Sequence, residues 1–174
     1  MKQIVLLFGL ITLMAVTANA QKRRSSSGDF GYENAVGLRV NPWLVGGTIK
    51  HFFTGPHAIE GLVTTNVSNR RNVTFTGLYE YHIAPFPKPE FHLYFGGGAH
   101  VGVYDRRDYD YDNYWRHGDG TYVSAGLDGI VGLEYKFKNI PLVVSADLKP
   151  YFNFNGGTHF VGEEIGGASV RYTF

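Results

Sequence analysis

From about residue 32 onward the chain alternates apolar residues with polar or small ones at a period of two, in successive segments separated by turn signals. The clearest segment sets Phe91, Leu93, Phe95, Gly97, Ala99, Val101 and Val103 against His92, Tyr94, Gly96, Gly98, His100, Gly102 and Tyr104. A period of two puts each set on its own face of a β-strand. The same pattern runs over about Tyr32 to Asn41, Val45 to Phe53, His57 to Val67, Asn72 to Ala84, Thr121 to Phe137 and Pro141 to Phe154. It closes with Ala168, Val170, Tyr172 and Phe174 against Gly167, Ser169, Arg171 and Thr173. Helical periodicity fails because the apolar spacing is two and glycine interrupts most segments. Ile130 breaks the polar face of its segment. Pro150 cannot donate a ladder hydrogen bond, so a bulge or an early strand end is expected there.

Each segment is long enough to cross a hydrocarbon layer as a tilted strand, which takes about 9–11 residues. The segments predict an all-β fold, an eight-stranded antiparallel up-and-down transmembrane β-barrel, and eight is the smallest number of strands such barrels use. The connections support this. Thr54 to Pro56, Pro85 to Pro89 and Lys138 to Ile140 are compact turns. Pro42 to Leu44, Ser68 to Arg71, Asp105 to Gly120 and about Asn155 to Gly162 alternate with them, and the longest, most polar connection falls on the outer side. Aromatic residues gather near strand ends (Trp43, Phe52, Phe53, Tyr81, Phe91, Tyr122, Tyr135, Phe137, Phe152, Phe154), where interfacial girdles lie.

The N-terminus places this barrel in a compartment. A basic start, an apolar run from Ile4 to Val16 and the small-x-small triplet Ala18-Asn19-Ala20 predict a signal peptide over 1–20. Residues 21–30 read as a flexible leader and 31–174 as the barrel. The chain holds 23 glycines, 12 tyrosines and 13 phenylalanines and no cysteine. Disulfides and thiolate metal sites are thereby excluded. A formal charge of +1 argues against a nucleic-acid partner.

The faces opposite the apolar wall carry Arg39, Lys50, Lys136, Lys149 and Arg171, and also Glu60, Glu80, Asp128, Glu134 and Asp147. An eight-stranded barrel is only wide enough for its side chains to fill. Charges there must pair, so these ten residues predict an ion-paired core that plugs the lumen. An ion-conducting pore is the competing reading.

The signal peptide, the strand count, the polar core and the terminal Tyr172-Thr173-Phe174 together resemble the small eight-stranded outer-membrane barrels of the OmpA transmembrane-domain type. The resemblance is architectural and brings no catalytic motif. It implies a bacterial outer-membrane location and contact with outer-membrane lipid and lipopolysaccharide. It also implies recognition by the barrel-assembly machinery through an insertion signal at Val170, Tyr172 and Phe174. No segment after Phe174 matches the peptidoglycan-binding domain of that family.

Candidate chemistry lies mainly in the loop Asp105 to Gly120. Arg106, Arg107, Tyr109, Tyr111, Tyr114, Trp115 and Arg116 make an adaptable polar-aromatic surface suited to binding. Asp108, Asp110 and Asp112 have the spacing that opens a calcium loop, but Asn113 and Asp119 stand where glycine and glutamate are needed. His82, His92 and His100 face inward on neighbouring strands, as hydrogen-bonded core histidines or as a metal site. An enzyme trimming lipid A would need a Ser–His–acid set on the outer wall, where only His51 is found. The expectation is therefore a monomeric, non-enzymatic protein without cofactor, serving a structural role or binding an unknown surface ligand through its outer loops. The alternatives are a lipid A hydrolase and a soluble lipocalin-like carrier with the two faces exchanged.

Overall fold

A computed structural model describes residues 30–67, 72–105, 121–154 and 165–174. These described residues hold nine strands: β1 Asn34–Val40, β2 Leu44–Thr54, β3 His57–Asn66, β4 Val73–Ile83, β5 Phe91–Asp105, β6 Thr121–Lys136, β7 Leu142–Leu148, β8 Tyr151–Asn153 and β9 Gly166–Thr173. All pair antiparallel. β7 and β8 are one crossing, because both pair with β6. The result is a closed barrel of eight crossings. Closure pairs each crossing with two neighbours, although its β8 part is described pairing with β6 alone.

The interruption at Pro150 is not a bulge. Leu148 pairs with Val131 and Tyr151 with Asp128, so no residue is gained or lost across the gap. The Pro150 carbonyl still accepts from the Gly129 N–H at 2.8 Å, and only the return donor is missing. A register shift does occur on β2 between Phe52 and Thr54.

Residue pairing sets the width of the bore. From Leu142 the ladder runs through Tyr172, Val36, Ile49, Gly61, Gly77, Ala99 and Leu127 and returns to the starting crossing at Phe152, ten residues further on. That stagger is about 33 Å along the strands against about 38 Å for eight strand spacings, which gives a tilt of roughly 40° and a backbone diameter of about 16 Å. Side chains from opposite walls therefore meet in the middle.

The two faces are sorted as the alternation predicts. Val36, Leu38, Ile49, Ile59, Phe75, Phe95, Leu127, Val131 and Val170 are exposed on the outer wall. Lys50, Glu60, Glu80, Glu134, Arg171 and most of the inward serines and threonines are buried. This is the reverse of a water-soluble barrel, and it disposes of the carrier reading with exchanged faces. Ile130 points inward and packs with Leu62, Leu78 and Tyr94 as an apolar island in the lumen. Phe52, expected in the outer girdle, is also inside and only 5% exposed. The outer aromatic pairs lie near the strand ends, as in Phe91–Tyr135–Phe137 and Tyr172–Phe174.

The compact turns Thr54 to Pro56 and Lys138 to Ile140 share one end of the barrel with Asn34 and Phe174, which exchange backbone hydrogen bonds. We call it the turn end and its opposite the loop end. Gly55 has φ +51°, a left-handed conformation that favours glycine in so short a turn. At the loop end the β1–β2 turn is closed by Asn41, whose Oδ1 accepts from the Trp43 and Leu44 N–H groups.

Candidate functional site

The buried polar lumen is the most organised constellation among the described residues. At its centre is Lys50, wholly buried. Its Nζ lies 2.7 Å from Glu80, 3.3 Å from Glu134 and 3.4 Å from Glu60. Three strands thus aim carboxylates at one ammonium from β2. The Tyr94 ring covers the ammonium 4.3 Å from its centroid, a cation–π contact strengthened by the absence of bulk water. Arg171 on β9 is the second cation of this hub. It pairs with Glu60, lies 3.8 Å from Glu134, and donates to Thr48 Oγ1 at 3.1 Å and Ser145 Oγ at 2.7 Å. The planar guanidinium spreads its donors over several strands, which an ammonium cannot do.

Two further pairs sit toward the loop end. Arg39 meets Asp147 through two parallel contacts of 2.5 Å, and the Tyr94 hydroxyl donates to the same carboxylate at 3.0 Å. Lys149 contacts Asp128 at 2.6 Å. The other Asp128 oxygen is 2.7 Å from His100 Nδ1, and His100 Nε2 is 2.7 Å from Asn153. Glycines make room for these groups: a Cβ on Gly132 would strike the Tyr94 ring, and one on Gly167 would strike the Arg39 guanidinium.

Nine of the ten residues expected in the core network lie in these pairs. Lys136 does not. It stands at the turn end of β6, half-exposed, and donates to the Phe137 and Ile140 carbonyls at 3.0 and 3.2 Å. The nearby turn carbonyls satisfy it before it can reach a carboxylate. The three inward histidines do not converge. His82 Nε2 is 2.9 Å from Glu80, His92 Nε2 is 2.7 Å from the Pro89 carbonyl, and His100 is on Asp128. Among the described residues no group of three or more His, Asp or Glu is arranged to hold a metal. His51 on the outer wall hydrogen-bonds Asn34 at 2.9 Å. Val170, Tyr172 and Phe174 face outward along β9 and its end. Arg106, Arg107, Tyr109, Tyr111, Tyr114, Trp115 and Arg116, the three loop aspartates, and residues 1–29 lie outside the described residues.

Sequence reading missed Tyr32 and Tyr94 as members of the network. Tyr32 donates to Glu134 at 2.7 Å from a position just ahead of β1. Tyr94 had the right parity, and the glycine opposite it in the ladder, Gly132, was the available sign that a large ring lies there.

No family model and no curated protein sequence matches the chain. Among solved structures, it is similar to the N-terminal β-barrel domain of Pseudomonas aeruginosa OprF, with a TM-score of 0.63 at 17% identity. The match covers 81% of this chain and 96% of that one. The likeness establishes the fold: a closed, all-antiparallel, eight-stranded barrel.

Proposed function

We propose that the protein is a non-enzymatic component of a bacterial outer membrane, exported by its N-terminal signal segment, whose barrel is a monomeric scaffold for the loops at one end. The observation that carries this reading is the sorting of the wall. Apolar side chains project outward all round the barrel, while the charges are turned inward and paired. Lipid is the solvent in which that distribution is stable. The hub at Lys50, with Tyr94 across it and Leu62, Leu78 and Ile130 beside it, fills the bore at mid-height. We read it as a seal that stabilises the barrel, in place of an ion path. Binding then belongs to the loop end, because loops on a rigid scaffold are where such folds carry function. The charged aromatic stretch from Arg106 to Arg116 is its strongest candidate. Lipid and lipopolysaccharide surround the wall, and the outward face of β9 is the surface offered to the assembly machinery.

Fractionation tests the location: the protein should leave the envelope only with detergent and show heat-modifiable gel mobility. Replacement of Asp105–Gly120 by a short Gly/Ser linker tests the division of labour. Folding should persist and binding to cell-surface material should be lost. Release of the protein in the aqueous fraction contradicts the location. Unchanged binding after loop replacement returns function to the wall or lumen.

A further inference from the structure

The lumen needs a second closure at its turn end, and the chain supplies one from ahead of its first strand. At that level the inward positions of β1, β3 and β7 are Ala35, Ala58 and Val143, all fully buried. Side chains this small cannot fill a bore of about 16 Å from the wall. Phe30 and Tyr32 fill it instead and form one buried cluster with Ala35, Phe52, Ala58 and Val143. The Phe30 ring stacks on Phe52 at 5.5 Å between centroids and meets His92 edge-on at 4.7 Å. The Tyr32 ring meets Phe52 edge-on at 5.1 Å, and its hydroxyl donates to Glu134 in the hub. Gly31 between them has φ +83°, which turns the chain in from the line of the wall.

We propose that Phe30-Gly31-Tyr32 is an intramolecular plug, seated by aromatic contacts and one hydrogen bond, that closes the turn-end mouth of the lumen. It is neither part of a strand nor covalently fixed. While it is seated, the part of the lumen between the hub and the turn end is closed to water. When it leaves, His82, His92 and Glu134 face water from the turn end, and Glu134 loses its phenol partner. The segment therefore links the region ahead of the barrel to the charged hub.

The absence of native cysteine makes accessibility a clean test on the full exported chain in micelles. A charged thiosulfonate would be applied to Ala58→Cys, beneath the plug, and to Thr54→Cys, on the exposed turn. With the plug intact, Ala58→Cys should react about 100-fold more slowly than Thr54→Cys, as protection by local closure requires. Adding Phe30→Ser and Tyr32→Ser should bring the two rates within about 10-fold. Equal labelling of Ala58→Cys in both backgrounds overturns the proposal, whether fast or slow: the mouth is then open, or sealed by the wall alone. If the double variant lacks the folded gel band, Phe30→Cys in the otherwise native chain decides. Slow labelling relative to Thr54→Cys supports a seated plug, and an equal rate overturns it.

Discussion

Replacing Lys50 with Met keeps the volume and the aliphatic stem while removing the ammonium that faces Glu60, Glu80 and Glu134. Breaking a buried ion pair from one side costs about 3–5 kcal/mol, because the remaining charge is stranded in a medium that cannot solvate it. Here one cation serves three carboxylates and only Arg171 remains, so the loss belongs at the upper end, about 5 kcal/mol. That is a third or more of the roughly 5–15 kcal/mol by which a folded domain is stable. The assay is urea unfolding in lipid vesicles, followed by tryptophan fluorescence and heat-modifiable mobility. The closest carboxylate, Glu80 at 2.7 Å, provides the control. Glu80→Gln added to Lys50→Met should recover about 1–3 kcal/mol, since it removes one stranded charge and keeps the shape. A Lys50→Met protein within about 0.5 kcal/mol of the parent, with no recovery in the double variant, would refute a dry, charge-paired hub.

Other outcomes follow from the same geometry. Val131→Arg puts a charge on the lipid face and should cost about 2–4 kcal/mol if it lies near the bilayer midplane; an unchanged urea midpoint in vesicles would deny that this face meets lipid. Gly132→Val should cost about 1–3 kcal/mol by forcing its side chain into the Tyr94 ring, and Tyr94→Leu in the same chain should return part of that loss. Arg171→Ala and Glu134→Ala should each destabilise the barrel by about 3–5 kcal/mol, read from the same unfolding curves. Replacing Arg39 and Asp147 together by Met and Leu should cost far less than either single change, because a buried pair removed whole leaves no stranded charge.

Much of the architecture was legible because a barrel wall with an apolar outside and a filled polar inside enforces its pattern residue by residue. A one-residue slip would turn Lys50 or Glu134 onto the apolar outer face, so alternation in β3, β4, β5 and β6 specifies face unambiguously. The choice of ion partners was not legible. Lys50 meets Glu80 across β3 and Arg39 meets Asp147 across β9, but Lys50 also meets Glu134 across the lumen, at a height set by the ten-residue stagger of the closed ladder. That stagger belongs to the ring as a whole and to no single strand. Lys136 had inward parity, yet its height put it beside turn carbonyls, beyond reach of the hub. Phe30 was hidden for a different reason: it follows a Ser/Gly-rich basic stretch and precedes the periodic segment, so neither composition nor period marks it as core. Phe52 lies close to a strand end, where girdle aromatics gather, but its parity turns it inward. Pro150 kept its register because one missing donor is a smaller penalty than shifting the whole upper half of a crossing.

The proposed role of the barrel depends on which face of its wall meets lipid. Single cysteines at Phe75, Gly77 and Tyr79, and at Thr74, Thr76 and Leu78, span both faces of β4. Nitroxide labels there, in protein reconstituted into vesicles, report collision with oxygen dissolved in lipid and with a water-soluble nickel complex. A lipid-facing outer wall gives a strict period of two: high oxygen accessibility at 75, 77 and 79, and little of either reagent at 74, 76 and 78. Nickel accessibility at 75, 77 and 79, or no alternation along the strand, would contradict it.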